Sequence, residues 1–335
     1  MVASATIRVM SAEEIAARAG GETPFLHWPE PGSLFAERAM RLRQLARGHA
    51  MGDYLAFAAR LALAQQSALA DAPEPPVPDA AAIARARASG EPPLRAIDWP
   101  RAPQWRALVR RIATELRADA APATRSVLDR VLEASDDALE AQAEGLLERT
   151  PTGLDFGAAP IVAAALQVHW TRTLLATRER TGSIGEAIVR LPDETACPAC
   201  GSPPVASITR SGGESLGQRY LHCSLCSLQW HLPRSKCPHC LGSQGLAFQS
   251  LDVADAADGE SRAAQAAVQA ETCEGCGHYL KIVHTDRDPQ VDPVADDLAS
   301  LTLDLLVAET GLLRHGLNYL LLFDEPAPDP PPEPA

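Results

Sequence analysis

Eight cysteines lie between residues 197 and 276 of this 335-residue chain, and no cysteine lies elsewhere. They form four pairs: Cys197-Pro-Ala-Cys200, Cys223-Ser-Leu-Cys226, Cys237-Pro-His-Cys240 and Cys273-Glu-Gly-Cys276. Two residues between thiols let one tight turn aim both sulfurs at a single point, and two such turns complete a tetrahedral four-thiolate site. Eight cysteines therefore make two complete sites with none unused. Joining neighbouring pairs leaves intervals of 22 and 32 residues, each able to hold a hairpin, whereas joining the outer pairs spans 72. Sequential pairing is favoured. A tetrahedral set of thiolates accepts zinc or a single iron, and residue chemistry leaves both open with zinc slightly ahead. A closed four-cysteine site has no free coordination position, so metal-assisted hydrolysis is not available there.

The neighbours of the pairs bear on the same chemistry. Gly201 and Gly277 follow two pairs directly and Gly242 follows a third one residue later, where the turn calls for a positive φ. His222, His231, His239 and His278 lie close enough in sequence to replace a sulfur, but eight thiols already suffice. The only two lysines, Lys236 and Lys281, fall in this region and with Arg219 and Arg234 can offset thiolate charge. Asp288, Asp292, Asp296 and Asp297 precede the last helical pattern, where they suit a helix N-terminus or a patch facing a partner.

The elements that carry these residues divide the chain. Residues 1–33 are a poorly patterned lead-in. Residues 34–182 read as an all-α, bundle-like domain: a loose stripe from Leu34 to Leu45, then Leu55 to Leu69 after an Asp53 cap. Trp105, Leu108, Val109, Ile112 and Leu116 follow at helical spacing, and Ile161 to Leu175 is apolar nearly all round. Residues 183–293 hold short β-prone pieces at Val205–Thr209, Arg219–His222, Leu228–His231 and Leu280–His284, interrupted by an alanine-rich insertion at 252–269. Residues 294–323 return to a helix, with Leu298, Leu301, Leu305 and Leu306 on one face. Residues 324–335 read as a disordered tail. The expected class is α+β: a helical domain, two small zinc-ribbon-like four-cysteine β-modules, and a C-terminal helix.

Composition narrows the function. A net charge of −13 and a pI near 5.2 disfavour a phosphate backbone as partner. Residues 190–285 alone carry 7 Lys+Arg against 9 Asp+Glu. The longest apolar run, Ile161 to Trp170, is too short and interrupted for a membrane span, and the N-terminus lacks the pattern of a secretory signal. A reducing cytoplasm is expected, which makes metal chemistry a better use of the thiols than disulfides.

The chain resembles the formate dehydrogenase accessory protein FdhE family. The resemblance rests on Gly52-Asp53-Tyr54-Leu55, the block from Cys197 to Val205, Arg219-Tyr220-Leu221-His222-Cys223 and Trp230-His231. It continues through the third pair, Ala270-Glu271-Thr272-Cys273, Tyr279-Leu280-Lys281-Ile282 and Val294-Ala295-Asp296-Asp297-Leu298-Ala299-Ser300-Leu301. It implies a cytoplasmic, non-catalytic assembly factor acting on the catalytic subunit of respiratory formate dehydrogenase before export. It also implies a rubredoxin-like cysteine region, with two iron ions rather than zinc. The ligands would be Cys197, Cys200, Cys223, Cys226, Cys237, Cys240, Cys273 and Cys276. Exposed recognition elements are expected at the turns around Pro198 and Pro238 and at the strands Tyr220–His222 and Trp230–His231, with hairpin packing the better role for Trp230. A nucleic-acid-binding zinc ribbon is the competing function, followed by a thiol–disulfide oxidoreductase, although four equal pairs among turns do not suit one redox couple.

Overall fold

The computed structural model describes residues 23–150, 152–181, 187–212, 215–251 and 265–322. The expected tail, the lead-in up to residue 22 and most of the alanine-rich insertion lie outside these. After a short strand at Leu26–His27, seven helices come in turn among the described residues: α1 (Leu34–Leu45), α2 (Gly52–Ala70), α3 (Ala80–Ser89), α4 (Trp105–Arg117), α5 (Pro122–Glu133), α6 (Asp136–Glu148) and α7 (Ala159–Thr181). Helix α4 buries Trp105, Leu108, Val109, Ile112 and Leu116, the stripe its spacing predicts. Helix α7 is buried on nearly all sides from Ala159 to Thr177, with α2, α4 and α6 packed around it. Two of its buried threonines are satisfied within the helix: the Thr173 and Thr177 hydroxyls donate to carbonyls one turn back.

Local signals set the ends. Asp79 caps α3 by accepting from the Ala82 N–H, and Gly90 closes it at φ 70°. That helix lies in a stretch the sequence reading passes over, because only Ile83 on it is buried. Asp53, expected as a cap, falls instead in the first turn of α2, where its charge suits the helix N-terminus.

One sheet follows: β1 (Leu26–His27), β2 (Pro204–Thr209), β3 (Arg219–Cys223), β4 (Gln229–His231), β5 (Leu246–Gln249), β6 (Val268–Cys273), β7 (His278–His284) and β8 (Leu313–Arg314). The order is β1-β4-β3-β2-β7-β6-β5, with β8 beside β7. Neighbours are antiparallel except β2/β7 and β7/β8. The lead-in thus supplies an edge strand, Leu26 opposite Trp230, and the Tyr220 hydroxyl donates to the Pro24 carbonyl at 2.8 Å. Two antiparallel groups, β1-β4-β3-β2 and β7-β6-β5, meet along the parallel seam and each carries one cysteine quartet.

The single C-terminal helix expected from Val294 is two, α8 (Pro293–Ala299) and α9 (Leu301–Glu309), broken at Ser300. The expected leucine face splits with it: Leu298 is buried, while Leu305 and Leu306 are 61% and 47% exposed. A buried network of charge spans the break. Lys281 is fully buried on β7, and its ammonium lies 2.6 Å from Asp304, 3.1 Å from Asp297 and 3.0 Å from the Ser300 hydroxyl. Arg314 pairs with the same two carboxylates, Asn318 donates to Asp297, and the Tyr279 hydroxyl donates to Asp304. Asp292 caps α8, and Asp296 receives a bidentate Arg41 from α1. The acidic cluster is therefore an internal clamp rather than a patch for a partner.

Breaking one side of a fully buried ion pair leaves an uncompensated charge. Asp297→Ala is expected to lower unfolding stability by about 3–5 kcal/mol. Asp288→Ala, whose carboxylate meets Arg41 at the surface, should cost less than about 1 kcal/mol. Denaturant midpoints of the two variants check both.

Candidate metal centre

The turns that bear the cysteines share one local geometry. In each, the residue directly after the second cysteine is left-handed: Gly201 at φ 74°, Ser227 at 59°, Leu241 at 60° and Gly277 at 71°. A residue there returns the chain so that backbone N–H groups face the sulfurs. Gly242, expected to supply this conformation in the third pair, does not; Leu241 takes it, at a cost of roughly 1–2 kcal/mol for a side chain in that region. The Leu225 and Cys226 amides both donate to the Cys223 sulfur at 3.4 Å, and the His239 amide donates to the Cys237 sulfur at 3.4 Å.

Neighbouring pairs come together, as the favoured sequential pairing has it. Cys197, Cys200, Cys223 and Cys226 form one quartet, and Cys237, Cys240, Cys273 and Cys276 the other. Sulfur–sulfur distances are 3.6 Å for Cys197–Cys226, 3.4 Å for Cys200–Cys223 and 3.6 Å for Cys200–Cys226 in the first. They are 3.7 Å for Cys237–Cys276 and 3.9 Å for Cys240–Cys273 in the second. A disulfide needs about 2.05 Å. A tetrahedron with metal–sulfur bonds of about 2.3 Å has edges of about 3.8 Å. The donor sets fit a four-coordinate ion, zinc or iron alike, and all four positions of each are taken by sulfur.

The surroundings of the two quartets differ. In the first, all four cysteines are at most 1% exposed and belong to the same hydrophobic cluster as the helices. The Leu94 and Ala96 amides donate to the Ala199 and Cys200 carbonyls at 2.9 Å, so the loop after α3 is held along the first turn. Gln167 on α7 donates to the Ser224 carbonyl at 2.8 Å and ties the second turn to the central helix. A cavity of about 330 Å³ lined by Pro92, Arg149, Leu317 and Tyr319 reaches this turn without exposing its sulfurs. Burial pushes the Cys197 and Cys226 thiols well above their ordinary range, so filling this site must expel protons.

The second quartet stands at the edge. Cys240 is exposed and Cys276 half-buried, and the Gly242 amide holds the Cys240 thiol below its ordinary value. His239 and His278 stack at 3.7 Å beside it, with the His315 ring edge-on to His239 at 4.9 Å.

Other expected residues take different roles. His222 hydrogen-bonds Gln229 and His231 reaches Gln218, so neither enters a quartet. Lys281 serves the buried clamp and Lys236 pairs with Glu194. Arg219 pairs with buried Glu271, donates to the carbonyls of Leu232, Pro233 and Lys236, and still feels the Cys237 charge, so it steadies the approach to the third turn. Pro198, Pro238, Tyr220, His222 and Trp230, expected among exposed recognition elements, are buried; Trp230 packs in the core as its hairpin role requires. The partners of Lys281 are not legible in the sequence because Asp297 and Asp304 are 16 and 23 residues away.

The two settings predict unequal sensitivity. Cys223→Ser should drop bound metal from two ions to one and destabilise the whole chain by more than about 4 kcal/mol, the range in which loss of a metal falls. Cys240→Ser should also cost one ion, yet leave the thermal transition of the helical core within about 1 kcal/mol of the parent because its quartet lies outside that core. Native mass spectrometry and calorimetry read the two effects.

Three family models match the chain: "FdhE, N-terminal" over residues 23–182, "FdhE, central domain" over 196–234 and "FdhE, C-terminal domain" over 235–321. A protein FdhE homolog of Pseudomonas aeruginosa is 41% identical over 298 residues, covering 89% of this chain and 93% of the relative. One from Edwardsiella ictaluri is 40% identical over 325 residues, covering 96% and 100%. The crystal structure of the FdhE protein from Pseudomonas aeruginosa aligns with a TM-score of 0.72 at 38% identity, over 89% of this chain and 99% of that one.

Proposed function

This chain belongs to the FdhE family, and from that premise we propose that it is an accessory factor needed to obtain active respiratory formate dehydrogenase. It acts in the cytoplasm by binding the catalytic subunit before export, and it catalyses no reaction of its own. The observation that carries this reading is the match of all three family segments in order, together with the eight cysteines gathered into two closed quartets. Among the described residues no helix is long and apolar enough to cross a membrane.

The eight cysteines would hold two ions, iron by the family resemblance and zinc as the alternative. Each ion would contribute a fixed cross-link between two turns. The chain's own part is to aim four sulfurs, supply amide donors to them, and present a rigid surface. Rigidity favours recognition because little conformational freedom is lost on binding. The accessible part of that surface is the rim of the second quartet, where Cys240 and the three imidazoles lie; the strands beneath the first are enclosed. With a closed first coordination shell, this arrangement supports binding better than open-site catalysis.

A tagged full-length chain should capture the catalytic subunit from cells making formate dehydrogenase, and Cys223→Ser/Cys226→Ser should lose it. Capture at the parent level by that double variant overturns the requirement for the cysteine region. Undiminished formate dehydrogenase activity in cells lacking this protein overturns the function. Anaerobically purified protein should show visible sulfur-to-iron absorption once oxidised; a colourless protein with two equivalents of zinc would replace iron by the alternative.

A further inference from the structure

The two quartets have the same donors but different access, and only the second has spare donors beside it. Among the described residues, no histidine joins the first quartet. At the second, the ligand atoms of His239, His278 and Cys276 all lie within 4.8 Å of one another. The two sets share one sulfur, that of Cys276.

The imidazoles are prepared for a ligand. His278 Nδ1 lies 2.8 Å from the Cys276 carbonyl, which can only accept, so Nδ1 carries the proton and Nε2 carries the free lone pair. This is the arrangement found in metal-bound histidines, where the other ring nitrogen donates to a carbonyl. His239 Nδ1 and His315 Nε2 are buried atoms with no hydrogen-bond partner. Such nitrogens are costly to leave unpaired, so a site that gives one of them a partner gains by doing so. The His239 and His278 rings are parallel, 11° apart. Both lone pairs reach one ion only after a ring turns about its Cβ–Cγ bond, a soft torsion for histidine.

We propose that the second quartet is an exchangeable metal site, in which His239 and His278 act as incoming ligands while Cys276 stays bound, whereas the first quartet keeps its ion as long as the chain is folded. The inference rests on the reading that both quartets hold ions. In the exchange step the bond from the ion to the exposed Cys240 sulfur breaks and a bond to an imidazole nitrogen forms. The released thiolate takes a proton from water, and no electron changes hands. From the mixed sulfur–nitrogen set the ion passes to any acceptor that offers thiolate or imidazole at this face, including cysteines or histidines of a bound protein. The first quartet offers neither an exposed sulfur nor a neighbouring nitrogen, so its ion has no such route.

The full-length chain loaded with two equivalents of zinc and challenged with excess 4-(2-pyridylazo)resorcinol tests this. One equivalent should be released at least about 10-fold faster than the other, and His239→Ala/His278→Ala should slow that fast phase by about 10-fold, the lower end of what support residues contribute at metal sites. The same variant loaded with cobalt should keep the sulfur-to-cobalt absorption of two four-thiolate sites, which shows that its ligands and fold are intact. A single release rate for both equivalents, or a fast phase untouched by the double variant, overturns the proposal. Native mass spectrometry finding no bound metal in the parent overturns the underlying reading as well, and so separates the two failures. Should the double variant fail to fold, iodoacetamide labelling of the zinc-loaded parent decides: Cys240 should react well before Cys197, and equal reactivity overturns the proposal.

Discussion

Four sulfurs brought within 4.8 Å of one another, three of the pairs at 3.4–3.6 Å, inside a hydrophobic core are tolerable only if something holds their charge, and the first quartet places this demand at the centre of the molecule. Thiolates repel, thiols bury weak donors, and an ion removes both costs at once. Around that point the protein uses apolar residues and amide donors: Leu225 and Leu228 are fully buried, and two amides meet the Cys223 sulfur. Helix α7 and the loop after α3 close over the two turns. The helical region and the first half of the sheet thus share one core, although composition changes sharply between them.

The remaining half of the sheet joins the first through the β2/β7 ladder and the apolar contacts of Leu280 and Val283, and a network of buried charge ties it to the C-terminal helices. Lys281, Asp297, Asp304, Arg314 and Asn318 form a closed network between β7 and the C-terminal helices, and Arg41 and Arg38 on α1 reach Asp296 and Asp292 from the other side. Ion pairs of this kind are directional, so they fix the angle and register of α8 against both the helices and the sheet. Apolar contact alone would leave that register loose, because α8 is only seven residues long. The Ala-Asp-Asp-Leu-Ala-Ser-Leu block is best understood as this clamp.

Two quartets with equal donors can serve different ends because burial, not ligand type, separates them. An ion enclosed by the core contributes to folding and has no path outward. An ion at the rim, with imidazoles close by and one sulfur in solvent, can take part in binding events. Filled with ions, the two quartets would give one enclosed cross-link and one accessible one.

The sequence by itself determined a good deal. Four identical two-residue spacings named the eight cysteines, because the geometry of a short turn is local, and the intervals between them favoured the sequential pairing that the structure shows. The stripe on α4 and the all-round apolar run of α7 were legible for the same reason, as were the strands at Val205–Thr209 and Arg219–His222. What depended on distant partners was not legible. The lead-in became an edge strand because Trp230, some two hundred residues later, offers it a neighbour. The C-terminal helix is two helices meeting at Ser300, with Lys281 reaching carboxylates on both, a break that the leucine pattern does not record. Pro198 and Pro238 look like exposed turn residues in sequence, yet they are buried because other segments close over them. Spacing states which atoms can converge; only the tertiary structure decides how much protein lies between them and water, and that burial sets the difference between the two quartets.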